Sequence, residues 1–185
     1  DCDDSNADVH PDATELCSDG EDRNCDGILK DESECQYYDG ELELWPWDEG
    51  SWICEEGYAH VEDLRILEGG SYDLSCLESV GNLYIDGYDF ETIDLSELAY
   101  VERMYIGPYY WGWEFQAQEI RLDSLASADG IYWNNINELG EWTMSSLDTV
   151  GEIQIENNYD LYSLDAFSSV ESVDYLQIYD NYNLS

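Results

Sequence analysis

The sequence is almost without cations. Five Lys and Arg face 45 Asp and Glu over 185 residues, a net charge of −40 at pH 7. Nucleic acid and anionic membrane surfaces need basic patches on their partners, so neither is expected to bind here. Apolar runs are only a few residues long, too short for a membrane-spanning helix, and no membrane insertion is expected. The sequence contains no G-x-S-x-G, H-E-x-x-H or P-loop, and its two histidines, His10 and His60, stand far apart. We therefore expect no enzyme, and both histidines read as structural. No signal peptide is visible, and the opening on an acidic segment reads as a mature or excised form.

Aromatic residues are missing from one stretch only. Residues 1–35 hold no Phe, Trp or Tyr, yet they carry 13 of the 45 acids. A module so poor in apolar side chains cannot hold itself by burial and needs staples or metal. Beyond it the chain is rich in aromatics, with 16 Tyr and seven Trp. At 43% hydrophobic overall, the chain is not disordered by composition and can bury a core. This shift sets three expected regions: an acidic module 1–35, an aromatic bridge 36–60 and a repeat array 61–185. The bridge reads as a cap that shields the first repeat, with Trp45, Trp47 and Trp52 closing the core.

No C-x-x-C pair occurs, which argues against zinc. The six cysteines, all within the first 76 residues, form an even set suited to a disulfide framework in an oxidising compartment. Of the 15 possible pairings, the one expected is Cys17 with Cys25, Cys54 with Cys76, and Cys2 with Cys35.

What the sequence does contain is a recurring phrase. L-x-I or a close variant begins at residues 64, 83, 104, 131, 153 and 176. Each copy is followed by Gly, Asn or Asp and then by a second apolar cluster such as IDLSEL (93–98) or IRLDSL (120–125). Alternating apolar residues mark a half-buried strand, and a period near 20 residues marks a solenoid. The expected fold is therefore mainly β: a parallel β-solenoid of about six irregular 19–27-residue repeats after a small disulfide-stapled metal-binding module. Turn residues at 86–87 (DG), 134–135 and 157–158 (NN) and 180–181 (DN) mark the bends. The segment 107–115 reads as an insertion in one rung.

In this register Leu64/Ile66, Leu83/Ile85, Met104/Ile106, Ile131/Trp133, Ile153/Ile155 and Leu176/Ile178 face inward. Arg65, Tyr84, Tyr105, Tyr132, Gln154 and Gln177 then form one outward column. Tyr84, Tyr105 and Tyr132 are either a stabilising ladder or a binding face for a glycan or protein ligand.

The acidic opening has its own pattern. Asp22, Asn24 and Asp26 stand at positions 1, 3 and 5 of a calcium-type loop, with Gly27 at the sharp turn and Ile28 at position 7. Ser33 occupies position 12, so Asp31 or Glu32 is the distal ligand of a shorter loop. Asp1, Asp3, Asp4 and Glu15 form a second hard-oxygen cluster. Oxygen donors in such numbers suit Ca2+ better than copper or zinc.

The segment D-C-D-D…P-x-A-x-E-x-C…D-x-N-C-D-G (residues 1–27) resembles the MopE-type metal-binding motif of secreted and surface proteins of bacteria. Cys2, Pro11, Ala13, Glu15, Cys17, Cys25 and Gly27 carry the likeness, while Asp12 stands where Gly is usual. The family name derives from a copper-associated surface protein. The repeats are similar to receptor L-domain-like and leucine-rich-type solenoids. Together these likenesses imply a non-enzymatic extracellular or cell-surface protein of bacteria, a calcium-stabilised binding or adhesion module. The alternative is a subunit that self-associates end to end into a filament or surface layer.

Overall fold

The computed structural model describes residues 25, 36–47, 50–108, 115–158 and 161–184. Among them, eleven strands follow in chain order. They are β1 (Gln36–Leu44), β2 (Tyr58–Leu67), β3 (Gly70–Asp73), β4 (Ser79–Asp86), β5 (Phe90–Asp94), β6 (Tyr100–Ile106), β7 (Phe115–Arg121), β8 (Ser127–Asn134), β9 (Ile136–Thr143), β10 (Thr149–Glu156) and β11 (Ser172–Tyr179). One short helix, α1 (Ser51–Glu55), lies between β1 and β2. No helix among the described residues is long and apolar enough to cross a membrane.

Two parallel sheets result. The wide one runs β1-β2-β4-β6-β8-β10-β11, and the narrow one runs β3-β5-β7-β9. Successive strands of either sheet are therefore one coil apart, and the chain is a parallel β-solenoid of about six turns. The second apolar cluster does more than fill space in the first four repeats, where its first residues supply strands of the narrow sheet; after β10 the cluster at 161–167 forms a loop and a short 3-10 turn instead.

Register follows the repeated phrase. Leu64, Leu83, Met104, Ile131, Ile153 and Leu176 align across the wide sheet, as do Ile66, Ile85, Ile106, Trp133, Ile155 and Ile178. The first five pairs are at most 3% exposed. Leu176 and Ile178 are the exception at 56% and 39%, because no rung among the described residues covers the far edge of β11. Trp133 takes an aliphatic position in this column. Its indole fits because Trp142 and Phe167 pack against it at 5.0 and 4.6 Å between ring centroids.

Each coil turns twice. At the first corner the residue just past the wide-sheet strand takes a left-handed conformation: Glu68, Gly87, Gly107, Asn135, Asn157 and Asp180. Gly, Asn and Asp reach that region at least cost, which is why DG, NN and DN recur there. At the second corner a Leu-x-x-Leu turn closes on itself, as in Leu77 N–H to the Leu74 carbonyl (3.0 Å) and Leu98 N–H to Leu95 (3.0 Å). Asp73 and Asp94 brace two of these turns by accepting the backbone N–H of Ser75 and Ser96.

Asparagines join the later corners along the coil axis. Buried Asn158 accepts the Ile136 N–H at 2.7 Å, and its own amide donates to Asn181 Oδ1 at 2.9 Å. Asn181 in turn donates to the Ile155 carbonyl at 2.8 Å. Such side chains satisfy backbone groups that the bend removes from the sheet ladder.

At the opposite end, the core is closed by Leu42, Leu44 and Ile53, all buried. The three tryptophans expected there do not do this. Trp47 is 75% exposed, Trp52 is 36% exposed, and Trp45 stacks on Trp47 at 5.5 Å instead of entering the core. Alternation explains it, since the inward positions of β1 belong to Leu42 and Leu44. A disulfide joins Cys54 at the end of α1 to Cys76 in the first Leu-x-x-Leu turn, with Cα atoms 5.4 Å apart. This staple lies in the solenoid and not in the acidic module. None of the described cysteines is free.

Candidate functional site

The outer face of the wide sheet is ordered by strand alternation into columns. Arg65, Tyr84, Tyr105, Tyr132, Gln154 and Gln177 stand in one column because their strands share a register. Tyr84 stacks on Tyr105 at 4.8 Å with rings 6° apart, and Tyr105 on Tyr132 at 4.7 Å and 11°. These centroid spacings repeat the strand spacing, so the backbone itself imposes the stack. The far end of the ladder is covered by the Arg65 guanidinium, 4.5 Å from the Tyr84 ring centre. Arg65 is itself ion-paired with Glu41 of β1.

The tyrosines are half-buried and partly committed. Their faces meet one another, and Tyr132 donates its hydroxyl to Glu152 at 2.8 Å. Gln154 holds the same carboxylate through its amide at 2.7 Å. Tyr132 reaches Glu152 by lying over Gly130, where a Cβ would sit within 2.7 Å of the phenol. Burial, followed by the bond to Glu152, pushes the Tyr132 hydroxyl up to about 12. Tyr105 is raised by burial and then by its neighbour Tyr84. Glu152 is lowered, first by the bond from Gln154 and then by that from Tyr132.

Beside the ladder lies a cavity of about 560 Å3. The next column, two residues further along each strand, includes Asp86, Asn134 and Glu156, but at the β6 rung it holds Gly107. Gly107 is left-handed (φ 129°), and any Cβ there would collide with the Asn134 backbone. The column therefore carries backbone alone at this rung while its neighbour keeps three tyrosines, and the notch lies between the two columns. Pro108 stands at its rim. Asn134 donates to Glu156 at 3.2 Å, which sets the amide at the far side. From the sequence Asp86 and Asn134 read as turn residues only, and Gly107 and Glu156 have no site role. The available signal was a glycine in line with Asp86, Asn134 and Glu156, visible only once register is known.

Of the expected site residues, the structure brings Tyr84, Tyr105 and Tyr132 together. The expected metal ligands Asp1, Asp3, Asp4, Glu15, Asp22, Asn24, Asp26, Ile28, Asp31 and Glu32 lie outside the described residues, as do Cys2, Cys17 and Cys35. So does most of the 107–115 segment, from 109 to 114. Among the described residues no group of three or more His, Cys, Asp or Glu is arranged to hold a metal. His60 is buried at 5% exposure, 2.5 Å from the Ser79 hydroxyl and stacked on Tyr37.

The family model described as "Putative metal-binding motif" and labelled Cu-binding MopE matches residues 1–31. The match runs beyond Gly27, where the sequence likeness ends, into the segment that offers Asp31. The chain thus carries a MopE-type metal-binding motif followed by a β-solenoid. No curated protein and no solved structure matches the chain.

Proposed function

We propose that this chain is a non-enzymatic, extracellular bacterial binding or adhesion module, stiffened by Ca2+ at its acidic N-terminal segment. The observation that carries this reading is the metal-binding motif at residues 1–31, joined to a rigid coil on a chain of net charge −40. Hard oxygen donors prefer Ca2+, and the alternation Asp22, Asn24, Asp26 with Gly27 is that of a calcium loop. Copper prefers imidazole and sulfur; within residues 1–31 only His10 offers an imidazole, and of Cys2, Cys17 and Cys25 the described one, Cys25, is disulfide-bonded. Asp22, Asn24 and Asp26 would be the central ligands, with Asp31 or Glu32 closing the loop.

Calcium titration of chelator-stripped protein, followed by calorimetry and sedimentation, tests this. We expect saturable Ca2+ binding and a higher melting temperature, with a monomeric particle, beyond a Mg2+ control at equal ionic strength. Binding of Cu2+ with no response to Ca2+ would overturn the choice of ion. No response to either would overturn the metal reading.

The end rung favours a second reading, in which copies of the chain associate end to end. Exposed Leu176 and Ile178 on the free edge of β11 would pair with β1 of another copy, whose Leu42 and Leu44 share the inward register. Both edges are acidic, with Asp174 and Asp180 against Asp39, Glu41 and Glu43, so such pairing needs divalent cations between them. Growth of the particle as calcium is added is the result that would favour it.

A further inference from the structure

We propose that the notch beside the tyrosine ladder binds a neutral saccharide chain lying along the coil axis. This rests on the reading of the chain as a binding module and names the class of ligand that module would take.

The first argument is shape. The cavity, at about 560 Å3, has the size of a small-ligand site. It is elongated by construction, because each rung adds one residue to its wall. From Arg65 on β2 to Gln154 on β10 the wall crosses four strand spacings, roughly 19 Å at about 4.8 Å each. That length suits a chain of several sugar units better than a compact metabolite. At the β6 rung the notch is lined by backbone, since Gly107 packs too closely on Asn134 to admit a side chain.

The second argument is charge. A molecule with 45 acids repels anions at long range, so an acidic polysaccharide would meet a repulsive field. The column that walls the notch from β2 to β10 is Arg65, three tyrosines and Gln154, and the carboxylates nearest it, Glu41 and Glu152, are held by Arg65 and by Tyr132 and Gln154. Two further carboxylates stand on the other side, at Asp86 on β4 and Glu156 on β10. Three strand spacings separate them, roughly 14 Å, so they cannot grip one small cation together. They can each accept hydrogen bonds from hydroxyl groups at different points of an extended ligand.

The third argument is surface chemistry. A sugar ring presents C–H groups on its faces and hydroxyls around its rim. The ring faces meet one another, so the ladder offers the notch a row of apolar phenol edges, while Asp86, Asn134 and Glu156 line the other side with planar donors and acceptors. The Asn134 amide is oriented by its bond to Glu156 and by Asn157, which donates to Asn134 Oδ1 at 3.4 Å. Preset polar groups of this kind bind without first losing their own freedom.

The test is calorimetry of the intact protein with cellotetraose, mannotetraose and tetra-N-acetylchitotetraose, alongside an alginate tetramer and tetralysine. We expect at least one neutral tetrasaccharide to bind with a Kd below about 1 mM. Tyr105→Ala should weaken it about tenfold, the scale of one lost aromatic contact, while Tyr105→Phe retains it. Asp86→Ala, which keeps all three tyrosines, should also weaken binding and serves if Tyr105→Ala fails to fold. Trp47→Ala, on the exposed stack at the β1 end, should change nothing.

The proposal is overturned if no neutral probe binds, or if only alginate or tetralysine does. It is also overturned if Trp47→Ala removes binding while Asp86→Ala and Tyr105→Ala do not. Measuring in calcium and in chelator separates the two readings. Loss of saccharide binding with the calcium response intact rejects the groove alone, and the reverse result rejects the calcium clamp alone.

Discussion

Tyr132 is the residue on which most of the outer face converges. It stacks on Tyr105, lies over Gly130 and donates to Glu152, and each contact depends on the others. Its folded-state value, about 12, lies above the ordinary 10. A raised value means that the folded state holds the proton more tightly than the unfolded chain does. The stabilisation is therefore complete below pH 10 and is lost as pH rises towards 12. Ultraviolet titration of the phenols should show a late-ionising class, and denaturation midpoints should fall between pH 10 and 12. Tyr132→Phe should flatten that fall; an unchanged profile would mean that the Glu152 bond does not matter to it. Glu152 acts in the opposite sense, since its lowered value adds stability that disappears as the solution is acidified.

Residue types at the corners were legible from the sequence because Gly, Asn and Asp have backbone reasons to be there. Glu68 was not, since it takes the same left-handed position without either excuse. The notch escaped notice for a related reason. Gly107 reads as an ordinary turn glycine, and only the neighbouring rung shows that the Asn134 backbone packs where its side chain would be.

Strands are the next scale, and here the sequence was most informative. The L-x-I phrase set the register of β2, β4, β6, β8, β10 and β11, and with it the tyrosine column. The narrow sheet was harder to see. Its strands share their apolar residues with the Leu-x-x-Leu turn that follows, so strand and turn merge into one cluster in the sequence. The tryptophans of the bridge misled, because aromatic size suggested a plug while alternation assigned the inward positions to leucines.

At this scale the staple between α1 and the β3 turn has a measurable role. Cys54 and Cys76 are 22 residues apart, about one coil, so the bond locks the first coil onto the second. Replacing both by Ser should cost about 3 kcal/mol, the chain-entropy expectation for a loop of this size. Urea denaturation of the double variant checks it. A loss well below 1 kcal/mol would show that Leu42, Leu44 and Ile53 hold that end unaided.

The whole molecule is governed by its charge. Forty uncompensated negative charges repel one another, and the described surface offers only a few internal ion pairs, among them Arg121 with Asp94 and Glu119. Surface pairs of this kind contribute little each. Simple salt should therefore stabilise the fold, since the screening length falls from about 30 Å at 0.01 M to about 10 Å at 0.1 M. Melting temperature should rise steadily with NaCl over that range, read by circular dichroism. A flat or falling curve would mean that the acids are spaced widely enough not to repel.

The position of the disulfide gives the coil a direction. Every rung leans on its two neighbours, so disorder spreads by peeling and not by simultaneous collapse. The β1 end is cross-linked and carries a helix, whereas the β11 edge exposes Leu176 and Ile178 to water. Among the described rungs, heat or tension will therefore strip β11 first. The ladder and its notch span β2 to β10, so the last strand can fray while most of that surface keeps its shape. Across the described rungs the coil is in this respect a zipper with a stop sewn at β1 and a loose tooth at β11.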